Sequence, residues 1–88
     1  MAKSDSIHVV VITPEAQVLD TQTDSLIIPA HDGQLGVLPR RASLMCELGK
    51  GELKYKVGTG FKHVRISGGF AQIHQNNAII LTEKAESN

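Results

Sequence analysis

Eighty-eight residues make one small domain, spanning 1–88, in which folding buries roughly 60% of the unfolded surface. Nine Lys and Arg balance nine Asp and Glu, which argues against a duplex nucleic-acid binder and against adhesion to an anionic membrane, since both need excess cations. Aromatics are 3% of the chain, too few for base-stacking platforms, while 41% hydrophobic residues suffice for a globular core. A small domain without net charge lacks self-repulsion, so it reads as a subunit that lives docked to something.

The polar segment 1–6 precedes the first element and carries no signal-type apolar run. Ile7 to Thr13 is rich in β-branched residues and ends at Pro14, which predicts a strand. Its centre is apolar on both faces, so it is expected to be covered on both sides. Val18 to Asp24 predicts a half-exposed strand, and Ser25 to Ile28 another, stopped by Pro29. Ala30 to Gln34 reads as a turn-rich loop. Leu35 to Leu38 is a short strand whose Gly36 suggests a bulge or a close backbone approach.

Ala42 to Glu47 is apolar enough for a strand, which Gly49-Lys50-Gly51 is expected to break. Glu52 to Val57 alternates with period two, and Gly58-Thr59-Gly60 closes a turn. Phe61 to Ser67 alternates again up to a bulge or bend at Gly68-Gly69. Phe70 to His74 and Ala78 to Thr82 form a hairpin about Asn76-Asn77. A helix has room to begin only at Glu83 to Glu86, in a short polar tail at 84–88. The pattern is all-β: a two-sheet β-sandwich of about ten short strands, without a C-terminal helical hairpin.

No catalytic constellation stands out. His8, His31, His63 and His74 have no metal-ligand spacing. Cys46 is the single cysteine, makes no internal disulfide, and reads as a small, partly buried hydrophobe. Ser43 and Ser67 lack a nucleophile-elbow context. Gly33 to Gly36 and Gly49 to Gly51 lack the ending of a phosphate loop and read as turn glycines. No catalytic residue, metal ligand or cofactor site is assigned. The longest apolar run, Val9 to Ile12, is far too short to span a membrane. The chain is expected to be soluble, intracellular and at most peripheral to a membrane.

One segment concentrates polar and basic residues around a short strand bracketed by prolines. It runs from Pro29 to Leu44 and carries His31, Asp32, Gln34, Arg40 and Arg41. Such residues on a rigid scaffold suit a docking surface, and a solvated loop is the bland alternative.

Here the sequence resembles the epsilon subunits of F-type ATP synthases (delta in mitochondrial usage). The resemblance rests on Gly33-Gln34-Leu35-Gly36-Val37-Leu38-Pro39-Arg40-Arg41-Ala42-Ser43-Leu44, on Gly68-Gly69-Phe70-Ala71-Gln72-Ile73, and on Asn76-Asn77 followed by Ala78 to Glu83. The opening Val-Val-Val-Ile-Thr-Pro-Glu belongs to the same pattern, so nearly the whole chain is covered in order. Ser43 departs from the usual Pro, Gln34 and Gln72 from a common acidic residue, and Arg41 from a common His.

The resemblance implies a non-catalytic central-stalk subunit that joins gamma to the membrane ring of c subunits, and through gamma serves the alpha/beta catalytic hexamer. It implies a peripheral position on the cytoplasmic face of the bacterial inner membrane. His31, Asp32, Gly33, Gln34, Arg40 and Arg41 are expected at the c ring; Thr13, Cys46 and Ser67 resemble positions close to gamma. In the family, two C-terminal helices can inhibit ATP hydrolysis and in some members bind ATP. This chain stops at Asn88, so neither that inhibition nor a nucleotide site is expected. The other reading is a free-standing β-sandwich adaptor or small-ligand-binding domain, with an enzyme as a third choice.

Overall fold

A computed structural model describes residues 6–87. Of the polar segment at 1–6, only Ser6 falls within that range, and Asn88 lies outside it. Among the described residues there are eight strands and no helix. They are β1 (Ile7–Ile12), β2 (Gln17–Thr23), β3 (Leu26–Ala30), β4 (Gly33–Val37), β5 (Leu44–Val57), β6 (Gly60–His74), β7 (Asn77–Leu81) and β8 (Ala85–Ser87). The hydrogen-bonded order is β2-β1-β7-β6-β5-β3-β4, with β8 also on β6.

The fold class is the expected one, and the difference in strand number has a physical reason. β5 and β6 are long antiparallel partners that bend together. The register pairs Leu48 with Gly69 and Lys50 with Ser67 and skips Gly49 and Gly68. Residues 44–48 and 70–74 lie in one layer with β7, β1 and β2; residues 50–57 and 60–67 lie in the other with β3, β4 and β8. Two five-stranded layers thus arise from eight strands. The glycines expected to break β5 mark its bend instead, because a backbone ladder continues through residues that have no side chain to pack. Gly68 and Gly69 adopt φ of 71° and 112°, and a Cβ on Gly69 would collide with the Leu81 carbonyl.

Alternation then builds the core. Ile7, Val9 and Val11 of β1 are fully buried, while His8, Val10 and Ile12 on its other face are only half covered, against the expectation of full cover. Leu26 and Ile28, Val37, Leu48 and Leu53, Val64 and Ile66, Ile73, and Ala78 and Ile80 complete one apolar cluster shared by both layers. Roughly 25 cal/mol per Å² of buried apolar surface drives this assembly.

Several local expectations change. Pro29 sits inside β3 rather than stopping it. The β3–β5 register shifts between Ile27 and Ala30, where the missing Pro29 N–H costs no regular ladder bond. Gly51 makes room for it: a Cβ there would lie 3.0 Å from Pro29 Cβ. Gly36 pairs regularly with Ile27, and a Cβ on it would meet nothing, so it marks neither bulge nor close approach. The β6–β7 turn is centred on Gln75 and Asn76, at φ of 50° and 64°, one residue earlier than expected. The stretch at Glu83 to Glu86 forms no helix: Ala85 and Glu86 pair with Ile66 and Arg65. The β6 edge offers ready backbone partners there.

Candidate docking site

The expected loop at 30–34 is a tight hairpin tip. Ala30 pairs with Gly33 and Pro29 with Gln34, leaving His31 and Asp32 as a two-residue turn. Gly33 takes φ of 136°, a region that side chains disfavour. The His31 N–H donates to the Glu47 carbonyl oxygen at 2.8 Å, tying the tip to β5. His31, Asp32, Gly33 and Gln34 are all exposed. The tip thus presents one imidazole, one carboxylate and one amide on a backbone braced from two sides.

Arg40 and Arg41 lie in the connection between β4 and β5 and are exposed. Arg40 adopts φ of 68°. Its N–H donates to Asn76 Oδ1 at 2.6 Å. Nearby, the Ser43 hydroxyl and His74 Nδ1 are 2.7 Å apart. The connection is therefore fastened to the β6–β7 hairpin.

The three residues expected near gamma divide into two places. Thr13 is buried and closes the β1–β2 turn, its N–H donating to the Ala16 carbonyl at 2.9 Å. Thr82 gathers the neighbourhood of the other two strands: its N–H donates to the Ile12 carbonyl at 3.1 Å, and its Oγ1 accepts from the Ser67 N–H at 3.2 Å. Thr13 and Ser67 thus flank one buried threonine. Cys46 is half-buried on β5, where it pairs with Ala71. Its thiol is pushed above its ordinary value, first by burial and then by the Asp32 carboxylate, against the opposing pull of Arg41.

Sequence reasoning missed an apolar patch on the outer face of the first layer. Met45, Phe70 and Leu81 are 67%, 56% and 50% exposed, and Ile79 is exposed beside them. Register makes them neighbours: Phe70 pairs with Leu81, and Gln72 pairs with both Ile79 and Met45. Leu81 also lines a groove of about 330 Å³ with Ile12, Thr13, Pro14 and Gly69. The signal lay in the run Ala78-Ile79-Ile80-Leu81, which is apolar at consecutive positions where a strand with one wet face would alternate.

The outer face of the second layer is polar. Glu52, Arg65, Lys50, Ser67 and Lys84 surround a groove of about 450 Å³. Glu52 Oε1 lies 2.9 Å from His63 Nδ1, and its Oε2 lies 4.0 Å from Arg65 Nη2. Among the described residues no group of three His, Cys, Asp or Glu side chains could hold a metal ion.

Residues 6–88 match the family described as ATP synthase, Delta/Epsilon chain, beta-sandwich domain. The chain is 38% identical over 81 residues to an ATP synthase epsilon chain of Nitratidesulfovibrio vulgaris, a match that covers 92% of this chain and 60% of that protein. It is 36% identical over 86 residues to the ATP synthase epsilon chain of Desulforamulus reducens, covering 98% and 64%. The chain thus spans about three fifths of the length of these curated relatives. In fold it is similar to a chain of the Euglena gracilis mitochondrial ATP synthase (OSCP/F1/c-ring), with a TM-score of 0.86 at 23% identity, covering 96% of this chain and 54% of that one. A chain of the Tetrahymena thermophila mitochondrial ATP synthase central stalk/c-ring gives 0.72 at 17% identity, covering 90% and 64%.

Proposed function

Since the chain belongs to the ATP synthase delta/epsilon family and carries its β-sandwich domain, we propose that it is a non-catalytic part of the central stalk. It joins gamma to the membrane ring of c subunits and helps carry rotation to the alpha/beta catalytic hexamer. It works as a peripheral component on the cytoplasmic face of the membrane.

The observation that carries this reading is the braced hairpin tip. A part that transmits torque must not yield at its contacts. The tip meets that need through the Gly33 backbone and the bond from His31 to Glu47. His31, Asp32, Gly33, Gln34, Arg40 and Arg41 face the polar loops of the c ring, where mixed charge sets register and orientation more than raw affinity. Gamma packs on the apolar outer face of the first layer, reached past Thr13 and Ser67. Contiguous exposed apolar surface of this kind marks a protein interface. Cys46 stands near the ring side of that contact. The described residues hold no helix, so any restraint of ATP hydrolysis by a helical element lies outside them.

The test is charge reversal in the assembled enzyme. Arg40→Glu with Arg41→Glu is expected to release the catalytic head from the membrane ring as ionic strength is raised, at salt that the unaltered enzyme withstands. Equal retention of the two enzymes would refute the assignment.

A further inference from the structure

We infer that Asn76 is a positioning residue, whose side-chain amide sets the backbone of the Arg40–Arg41 segment in the shape that docks. This deepens the ring-docking reading above and rests on it. Residues 38–43 belong to no strand, so no ladder sets their path. Leu38, Arg40, Arg41, Ala42 and Ser43 are all exposed and Pro39 is only half-buried, so burial does little to set it. Two polar contacts at one end of the β6–β7 hairpin fasten the segment: Arg40 N–H to Asn76 Oδ1 at 2.6 Å, and Ser43 Oγ beside His74 Nδ1 at 2.7 Å.

The two ends of the Arg40–Asn76 bond share an uncommon backbone. Arg40 stands at φ 68° and Asn76 at φ 64°. Asn tolerates this region, because its short polar side chain bonds locally. Arg has no such affinity for it, so its conformation must be imposed from outside. Asn76 is itself immobilised: its carbonyl oxygen accepts the His8 N–H at 2.8 Å, which pins the turn to β1. A fixed acceptor therefore meets the amide of a residue whose backbone needs holding. The left-handed step at Arg40 turns the chain just before Arg41, so the direction in which the basic pair leaves the sandwich depends on it.

Two substitutions separate the acceptor from the turn. Asn76→Gly keeps a residue at home at positive φ and removes the acceptor. Asn76→Asp keeps both. Amide hydrogen exchange of the full chain and retention of the catalytic head on the membrane ring are the two measurements. Asn76→Gly is expected to speed exchange at Arg40 by about tenfold, the weight of one lost hydrogen bond, with Val9 and Ile80 unchanged. It is also expected to lower the salt at which the head leaves the ring. Asn76→Asp is expected to restore both. Unchanged exchange at Arg40 in Asn76→Gly overturns the inference, as does equal damage from Asn76→Asp. Loss of retention in the Arg40→Glu, Arg41→Glu enzyme without any response to Asn76→Gly overturns this inference alone; no response to either overturns the docking reading and this inference with it.

Discussion

Glu52 Oε1 accepts a hydrogen bond from His63 Nδ1 at 2.9 Å, diagonally across the β5–β6 ladder. This bond is the largest influence holding the Glu52 carboxyl below its ordinary value of 4.5, with the charges of His63, Arg65 and Lys54 adding to it. A depressed folded-state value stabilises the fold above the unfolded carboxylate pKa. That contribution is lost as pH falls through the lower, folded value. The difference in urea midpoint between the unaltered chain and Glu52→Gln is therefore expected to shrink as pH drops below about 4. Titrated urea curves for both chains check it. A gap that widens in acid would contradict the assignment.

The bend through the two layers makes a second prediction. Gly69 holds φ of 112°, and any Cβ there meets the Leu81 carbonyl. Gly69→Ala is expected to cost about 3 kcal/mol or more, through strain and displacement of β7. Gly36→Ala is the control: its site is open and its φ ordinary, so the lower entropy of the unfolded chain is expected to stabilise by about 0.5 kcal/mol. Urea unfolding of both variants measures the contrast.

Those glycines also show where sequence reasoning reaches its limit. The strand content was legible in β-branched runs such as Ile7–Ile12 and in the alternation about Leu53 and Tyr55. The bend expected at Gly68-Gly69 is present. Gly49 and Gly51 read locally as a strand break, yet the β5–β6 ladder runs past them, because pairing with a partner strand overrides local preference. Pro29 misleads for the same reason: its lost N–H falls at a register shift that only the paired strand reveals. In the docking tip, Asp32-Gly33 announces a turn. The bond from the His31 N–H to the Glu47 carbonyl depends on tertiary contact and leaves no trace in spacing.

Burial separates two leucines that look alike in sequence. Leu53 is fully buried between the layers, whereas Leu38 is 63% exposed in the β4–β5 connection. Leu53→Ala removes packed methyl groups and leaves a cavity, at a cost of about 3 kcal/mol. Leu38→Ala is expected to change stability by less than about 0.5 kcal/mol. Equilibrium denaturation of the two variants distinguishes a site that packs from a site left free for a partner.

The apolar outer face of the first layer allows stability and partnership to be tested apart. Met45 and Phe70 point to solvent, so Met45→Lys with Phe70→Lys removes little packing and is expected to shift stability by about 1 kcal/mol or less. In the assembled complex the same two side chains lie at the contact proposed for gamma, where a lysine left without a partner would be desolvated. Recovery of gamma with the tagged variant is therefore expected to fall severalfold, while its unfolding curve stays close to that of the unaltered chain. Charge on the opposite layer serves as the comparison: Lys54 pairs with His63 there, and Lys54→Glu leaves the apolar patch intact and is expected to retain gamma. Full recovery with the double variant would place the gamma contact elsewhere on the sandwich.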